Sequence, residues 1–147
     1  MKKLILCLST VICSLTLLAA APADEINAKV LAAFEASFKG ASEVVWNQTQ
    51  DAYEVKFKHN EIQTRVTYDS EGSIVKTMRY YQEEQLPMLI RAKINQKYAG
   101  KKIFGVTELS AEDELNYYVI LEDAKHWTTI KCDSYGNTSL YKKMKKA

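Results

Sequence analysis

A stretch of helical spacing followed by alternating strands occurs twice along this chain, and any fold for it must accommodate both copies. In the first, Ile26, Val30, Ala33, Phe34, Ser37 and Phe38 recur every three to four residues. That spacing predicts an amphipathic helix from Glu25 to Phe38, with Gly40 as its stop. Val44 and Trp46 then alternate, followed by Tyr53-Glu-Val-Lys-Phe57, a turn at His59-Asn60, and a run in which Ile62, Thr64, Val66 and Tyr68 alternate. Asp69-Ser-Glu-Gly72 turns the chain into Ser73–Tyr80. Three hairpin-linked strands, with a shorter strand before them, are predicted after the helix.

The same order restarts at Gln85. Leu89, Ile90, Lys93, Ile94 and Tyr98 keep helical spacing over 85–98, and Leu86-Pro87 opens the segment, since proline is tolerated in a first turn. Phe104 and Val106 stand where Val44 and Trp46 stood, at an offset of 60. Tyr118-Val-Ile-Leu121 matches Glu54-Val-Lys-Phe57, and Cys132-Asp-Ser-Tyr-Gly136 matches Tyr68-Asp-Ser-Glu-Gly72, both at 64. The change of offset puts four extra residues near Ser110–Asn116. Two copies of this length are too few and too long for a solenoid. Either copy alone would bury only about 60% of its unfolded surface. The predicted class is α+β, a tandem duplication of a helix followed by a four-stranded antiparallel sheet, with the helices packed on one sheet face. The repeats run over about 25–81 and 84–145, and Gln82-Glu-Glu-Gln85 is the joint between them.

Residues 1–23 read as a leader rather than as fold. Met1-Lys-Lys3 is a basic start, Leu4 to Leu18 is apolar apart from Ser and Thr, and Ala21-Pro-Ala23 offers the small-residue pattern of signal-peptidase cleavage. The apolar run is shorter than the roughly 20 residues a membrane span needs. Cys7 and Cys13 lie inside this run without the small preceding residue that lipidation requires. Cleavage after Ala23 leaves 24–147 as the domain, with Cys132 as its one cysteine and no internal disulfide available. The formal charge of the whole chain is +2, and the leader carries two lysines, so the domain is formally neutral. Nothing in that balance points to nucleic acid.

Individual residues divide into turn, core and surface. Asp69 with Gly72, and Asp133 with Gly136, suit tight turns in which the carboxylate accepts backbone N–H bonds and the glycine takes positive φ. One carboxylate per turn falls well short of the six to eight oxygens calcium takes. The predicted core comprises Phe34, Phe38, Trp46, Phe57, Val66, Ile94, Val119 and Ile130. Trp127 aligns with Gln63, on the face turned away from Ile62, Val66 and Ile130. An indole there marks a partner or ligand surface that Tyr80, Tyr81, Tyr118 and Tyr141 could extend, unless a loop or the other half covers it. His59 reads as a turn residue and His126 as a strand-edge residue, with no ligand spacing around either. Cys132 reads as a small inward hydrophobe, since a nucleophile would need His126 or a cation to lower its pKa. Lys142–Lys146 reads as a solvated, fraying tail. No nucleophile elbow, zinc-protease, P-loop or dinucleotide motif occurs, so the expectation is no catalytic residue, no metal and no cofactor.

The helix ending Phe38-Lys-Gly, Val44-x-Trp46, Tyr53-Glu-Val-Lys-Phe57, Tyr68-Asp-x-x-Gly72, Leu86-Pro87 and Asp133-x-x-Gly136 together resemble the PepSY-like, or β-lactamase-inhibitor-like, small exported bacterial proteins. The resemblance covers 26–144. Asn60 stands where a turn glycine is common in that family, and Tyr117–Leu121 lacks the Tyr-Glu-Val form. It implies two helix-plus-sheet units, residence in the periplasm or at the cell surface, and a binding or inhibitory role toward a peptidase or other envelope protein. It carries no catalytic residues over. The functional expectation is an exported, non-enzymatic binding protein acting through its sheet face. The alternative is a periplasmic small-molecule binder with a pocket between sheet and helices.

Overall fold

The computed structural model describes residues 26–146; the predicted leader, with Cys7 and Cys13, lies outside them. The described chain runs α1 (Ala28–Ser37), β1 (Ser42–Gln48), β2 (Tyr53–His59), β3 (Ile62–Tyr68), β4 (Ile74–Tyr81), a 3-10 turn (Glu83–Gln85), α2 (Met88–Lys97), β5 (Lys102–Ala111), β6 (Glu114–Glu122), β7 (His126–Asp133) and β8 (Thr138–Lys145). No described helix is long and apolar enough to cross a membrane.

The eight strands form one antiparallel sheet in sequence order, β1 to β8. This corrects the α+β expectation of two tandem units, each a helix with its own four-stranded sheet. The protein is mainly β, with two short helices on a single continuous sheet. The edges that two separate sheets would expose are joined: β4 pairs with β5 over six positions, from Lys76 opposite Ala111 to Tyr81 opposite Val106. β5 has ten residues against the seven of β1, and Leu109, Ser110 and Ala111 supply half of the seam by pairing with Met78, Thr77 and Lys76. An open sheet edge exposes unpaired N–H and C=O groups, so the pairing satisfies both strands at once.

Two half-cores fill the space between the sheet and the helices, both on the same sheet face. Under α1, Val30 and Phe34 pack with Trp46, Val55, Phe57, Val66 and Tyr68, and Phe38 is half-buried beside them. The Phe34 ring meets Trp46 and Phe57 edge-on, with centroids 5.3 and 5.1 Å away. Under α2, Ile90 and Ile94 pack with Val106, Tyr117, Val119, Leu121, Ile130 and Cys132. Leu89, placed on the helix stripe by its spacing, is exposed instead, and Leu86 takes the buried position before the helix. Both helices start later than their periodicity suggested. Asn27 caps α1 by accepting from the Lys29 N–H at 2.8 Å, and Pro87 is the N-cap of α2.

The β3–β4 and β7–β8 turns share a construction. Asp69 Oδ1 accepts from the N–H groups of Glu71 and Ser73 at 3.0 and 2.8 Å, and Asp133 Oδ1 from those of Tyr135 and Asn137 at 2.9 and 2.8 Å. Gly72 and Gly136 have φ of +84° and +88°. Each turn also clasps a helix: Asn27 Nδ2 donates to Ser70 O at 3.2 Å, and Lys93 Nζ to Tyr135 O at 2.6 Å. The carboxylate of Asp133 is held below its usual range, first by the Asn137 side-chain amide and then by the turn N–H groups.

Candidate functional site on the open sheet face

Because side chains alternate along a strand, the face opposite the helices can be read from the register. One row across it runs Tyr80, Thr107, Tyr118, Lys131 and Ser139. The next runs Gly105, Ile120, Thr129 and Lys142, and the one beyond Lys102, Glu122, Trp127 and Met144. Among the described residues no helix packs on this face.

Trp127 lies here, half-buried, with the Phe104 ring edge-on at 4.6 Å and Lys146 Nζ 4.6 Å above its own ring. Lys146 also donates to Glu122 at 2.5 Å, so the indole is held between an aromatic edge and a paired ammonium. Tyr118 meets Tyr141 edge-on at 5.0 Å. Phe104, Tyr141 and Met144 are 52%, 65% and 45% exposed, and Tyr80 is exposed above the seam. Trp127, Tyr80, Tyr118 and Tyr141 therefore share one face.

Tyr81 does not belong with them. It points to the helix side, is 7% exposed and sits in the α2 half-core. Its place next to Tyr80 in the chain puts it on the opposite face, because a strand turns successive side chains to opposite sides. Its hydroxyl donates to Glu108 at 2.6 Å, and Glu108 also takes Arg79 at 3.0 Å. Burial, and then the Glu108 carboxylate, push the Tyr81 phenol far up in pKa. This trio crosses the β4–β5 seam and is a structural junction.

Several surface residues were not legible from periodicity. Phe104 would share the buried face with Val106 by simple alternation, but a bulge between Ile103 and Gly105 turns it outward. A glycine inside a strand pattern was the available signal. Lys142–Lys145, read as a fraying tail, form half of β8 and pair with β7, from Thr129 opposite Lys142 to His126 opposite Lys145. Their run of charge hid a strand two of whose apolar members, Tyr141 and Met144, lie on the open face.

The residues weighed for chemistry stay apart. Cys132 is buried, and burial raises its thiol pKa, which disfavours the thiolate. His126 is on the same strand six residues away, on the order of 20 Å at strand rise, beside Asp123 at 3.5 Å. His59 packs against Phe38. No group of three His, Cys, Asp or Glu residues with metal-ligand geometry occurs among the described residues. Clefts among the described residues include two at the sheet ends. The larger, about 590 Å³, lies at the sheet end among Glu114, Asn116, Asp133 and Tyr135, and the smaller, about 340 Å³, between Ile74–Thr77 and Ser110–Asp113. Neither is lined by a residue of α1 or α2.

No family description matches this sequence, and no curated protein matches it. Solved structures do. A BLIP-like protein from Bacteroides fragilis is 16% identical with a TM-score of 0.60, over 80% of this chain and 84% of that one. A protein from Bacteroides eggerthii described as periplasmic is 14% identical with a TM-score of 0.61, over 80% and 87%. A DUF2874 family protein from Bacteroides uniformis is 20% identical with a TM-score of 0.61, over 85% and 89%. At such identities the likeness is one of architecture, and the fold of this chain is BLIP-like.

Proposed function

We propose that this chain is an exported binding protein that engages a protein partner in the cell envelope through the open face of its sheet. The observation that carries the reading is the cluster of Phe104, Trp127, Tyr118 and Tyr141 on a face no described element covers. Aromatic side chains held rigid by their neighbours are the usual anchors of protein interfaces. Export rests on the leader pattern of 1–23, and the description of the B. eggerthii neighbour as periplasmic agrees with it. The PepSY-like motifs favour regulation or inhibition of a peptidase or another envelope protein as the narrower form of the role. The reading needs no catalytic residue and no cofactor. A small-molecule pocket between sheet and helices gains no support from the two clefts, which lie at strand ends and turns.

Affinity capture from envelope extract tests the surface, with wild type and Trp127→Ala compared at matched folded concentration. The expected result is loss of specific partners in the variant. Recovery of the same partners by both proteins would remove Trp127 from the interface.

A further inference from the structure

The open face carries more than aromatic residues: three of its lysines stand outside any salt bridge among the described residues. Among its acids, Glu54 is paired with Arg65 and Glu122 with Lys146, while Asp133 is engaged by its own turn. Glu43 and Glu114 stand at the margins of the sheet, held by Gln63 and Asn116. Lys102, Lys131 and Lys142 form no salt bridge among the described residues, although Lys102 stands across from Glu122, which Lys146 takes, and Lys131 shares a cleft with Glu114 and Asp133. The register sets Lys131 opposite Tyr118, and Lys142 opposite Thr129 in the row between Tyr118 and Trp127. Adjacent strands are about 4.8 Å apart and same-face residues about 6.8 Å apart along a strand. The three lysine ammonium groups therefore interleave with the aromatic rings over one patch.

We infer that the partner presents an acidic polypeptide surface to β5–β8, with carboxylates meeting Lys102, Lys131 and Lys142 and apolar side chains meeting Phe104, Trp127 and Tyr141. The inference rests on the sheet-face reading above and adds the chemistry of what docks there. Complementary charge raises the encounter rate and excludes basic partners, and the aromatic anchors supply the desolvated contact. A polypeptide is favoured over a membrane surface. Trp127 is half-buried between Phe104 and Lys146 rather than freely exposed as a membrane-inserting indole would be, and the lysines alternate with the rings along the strand register.

The test is a titration of the isotope-labelled protein with a random Glu–Tyr copolymer, read by amide NMR shifts. Polylysine, dextran sulfate and vesicles of phosphatidylcholine with phosphatidylglycerol serve as comparisons. The expected result is that the copolymer shifts β5–β8 amides, polylysine does not, and Lys131→Glu/Lys142→Glu weakens binding roughly tenfold, with affinity falling as salt rises. Lys131→Gln/Lys142→Gln should fall between the two and guards against misfolding of the reversed-charge variant. Equal, lysine-dependent binding of dextran sulfate or vesicles would overturn the choice of a polypeptide, and absence of copolymer binding would overturn the acidic chemistry. The lysine variants are also carried through the envelope capture. Partners lost with Trp127→Ala but kept with the lysine variants would leave the face standing and sink this inference, whereas partners kept by every variant would sink both.

Discussion

Tyr68 is fully buried, and its hydroxyl finds no hydrogen-bond partner. A buried hydroxyl left unpaired costs about 1–3 kcal/mol. Tyr68→Phe should therefore stabilise the protein by about 1 kcal/mol, measured by urea denaturation at neutral pH. Burial also raises the Tyr68 pKa from 10.0 to about 12. A raised phenol pKa means that the folded state favours the neutral form. The contribution is thus complete below pH 10 and declines as pH rises toward about 12. Stability measured over that window should fall less steeply in Tyr68→Phe than in wild type. Gly72 is the second informative residue. A Cβ there would sit 2.9 Å from the Lys29 carbonyl oxygen, whereas Gly40, with φ of +81°, has open space around it. Both substitutions to Ala incur the cost of positive φ, about 1 kcal/mol. Gly72→Ala should cost roughly twice as much because the turn must also move off α1, and equal losses in denaturation would argue against the contact. The sequence marked Gly72 as a turn residue, but the helix backbone beside it became visible only in the fold.

The turns are also where the elements answer to pH. Asp123 closes the β6–β7 turn, accepting from Lys101 and from the N–H groups of Lys125 and His126. The Lys101 ammonium, followed by those backbone donors, holds its carboxyl well below the ordinary 3.8, and Asp133 is lowered as well. A depressed carboxyl pKa means that the folded state favours the charged form, so this stability is present above pH 3.8 and is lost as pH falls below it. Asp123→Asn and Asp133→Asn should each flatten the acid limb of a stability–pH profile while lowering stability at neutral pH. A profile unchanged in either would contradict the role given to that turn. At this scale the turns and the helix stripes were legible, since Asp-x-x-Gly and the 3.6-residue period are local signals. The β5 bulge and the pairing of the lysine-rich β8 were not, because a bulge is set by a partner strand and a charged edge strand has the composition of a tail.

The two half-cores are expected to behave as one cooperative structure, coupled through β4 and β5. Trp46 reports on the α1 side and Trp127 on the open face of the other half, so Trp46→Phe and Trp127→Phe each leave a single local probe. Fluorescence of the two variants should give transitions with the same denaturant slope, each coinciding with that variant's own far-ultraviolet circular dichroism transition. Fluorescence departing from the circular dichroism in either variant would break the coupling. Tyr81→Phe, which removes a hydrogen bond to the charged Glu108 at the seam, should cost about 2 kcal/mol. It should shift both probes together. By itself the sequence determined the helix stripes, the hairpins, the Asp-x-x-Gly turns and the inward aromatic residues, because each depends on spacing within one segment. Only the tertiary structure decided that eight strands make one sheet, that the β4–β5 seam buries Tyr81 against Glu108, and that Phe104, Trp127, Tyr141 and three lysines outside any salt bridge share an open surface. Those outcomes depend on the register between strands distant in sequence, and register is a property of pairs that no single segment carries.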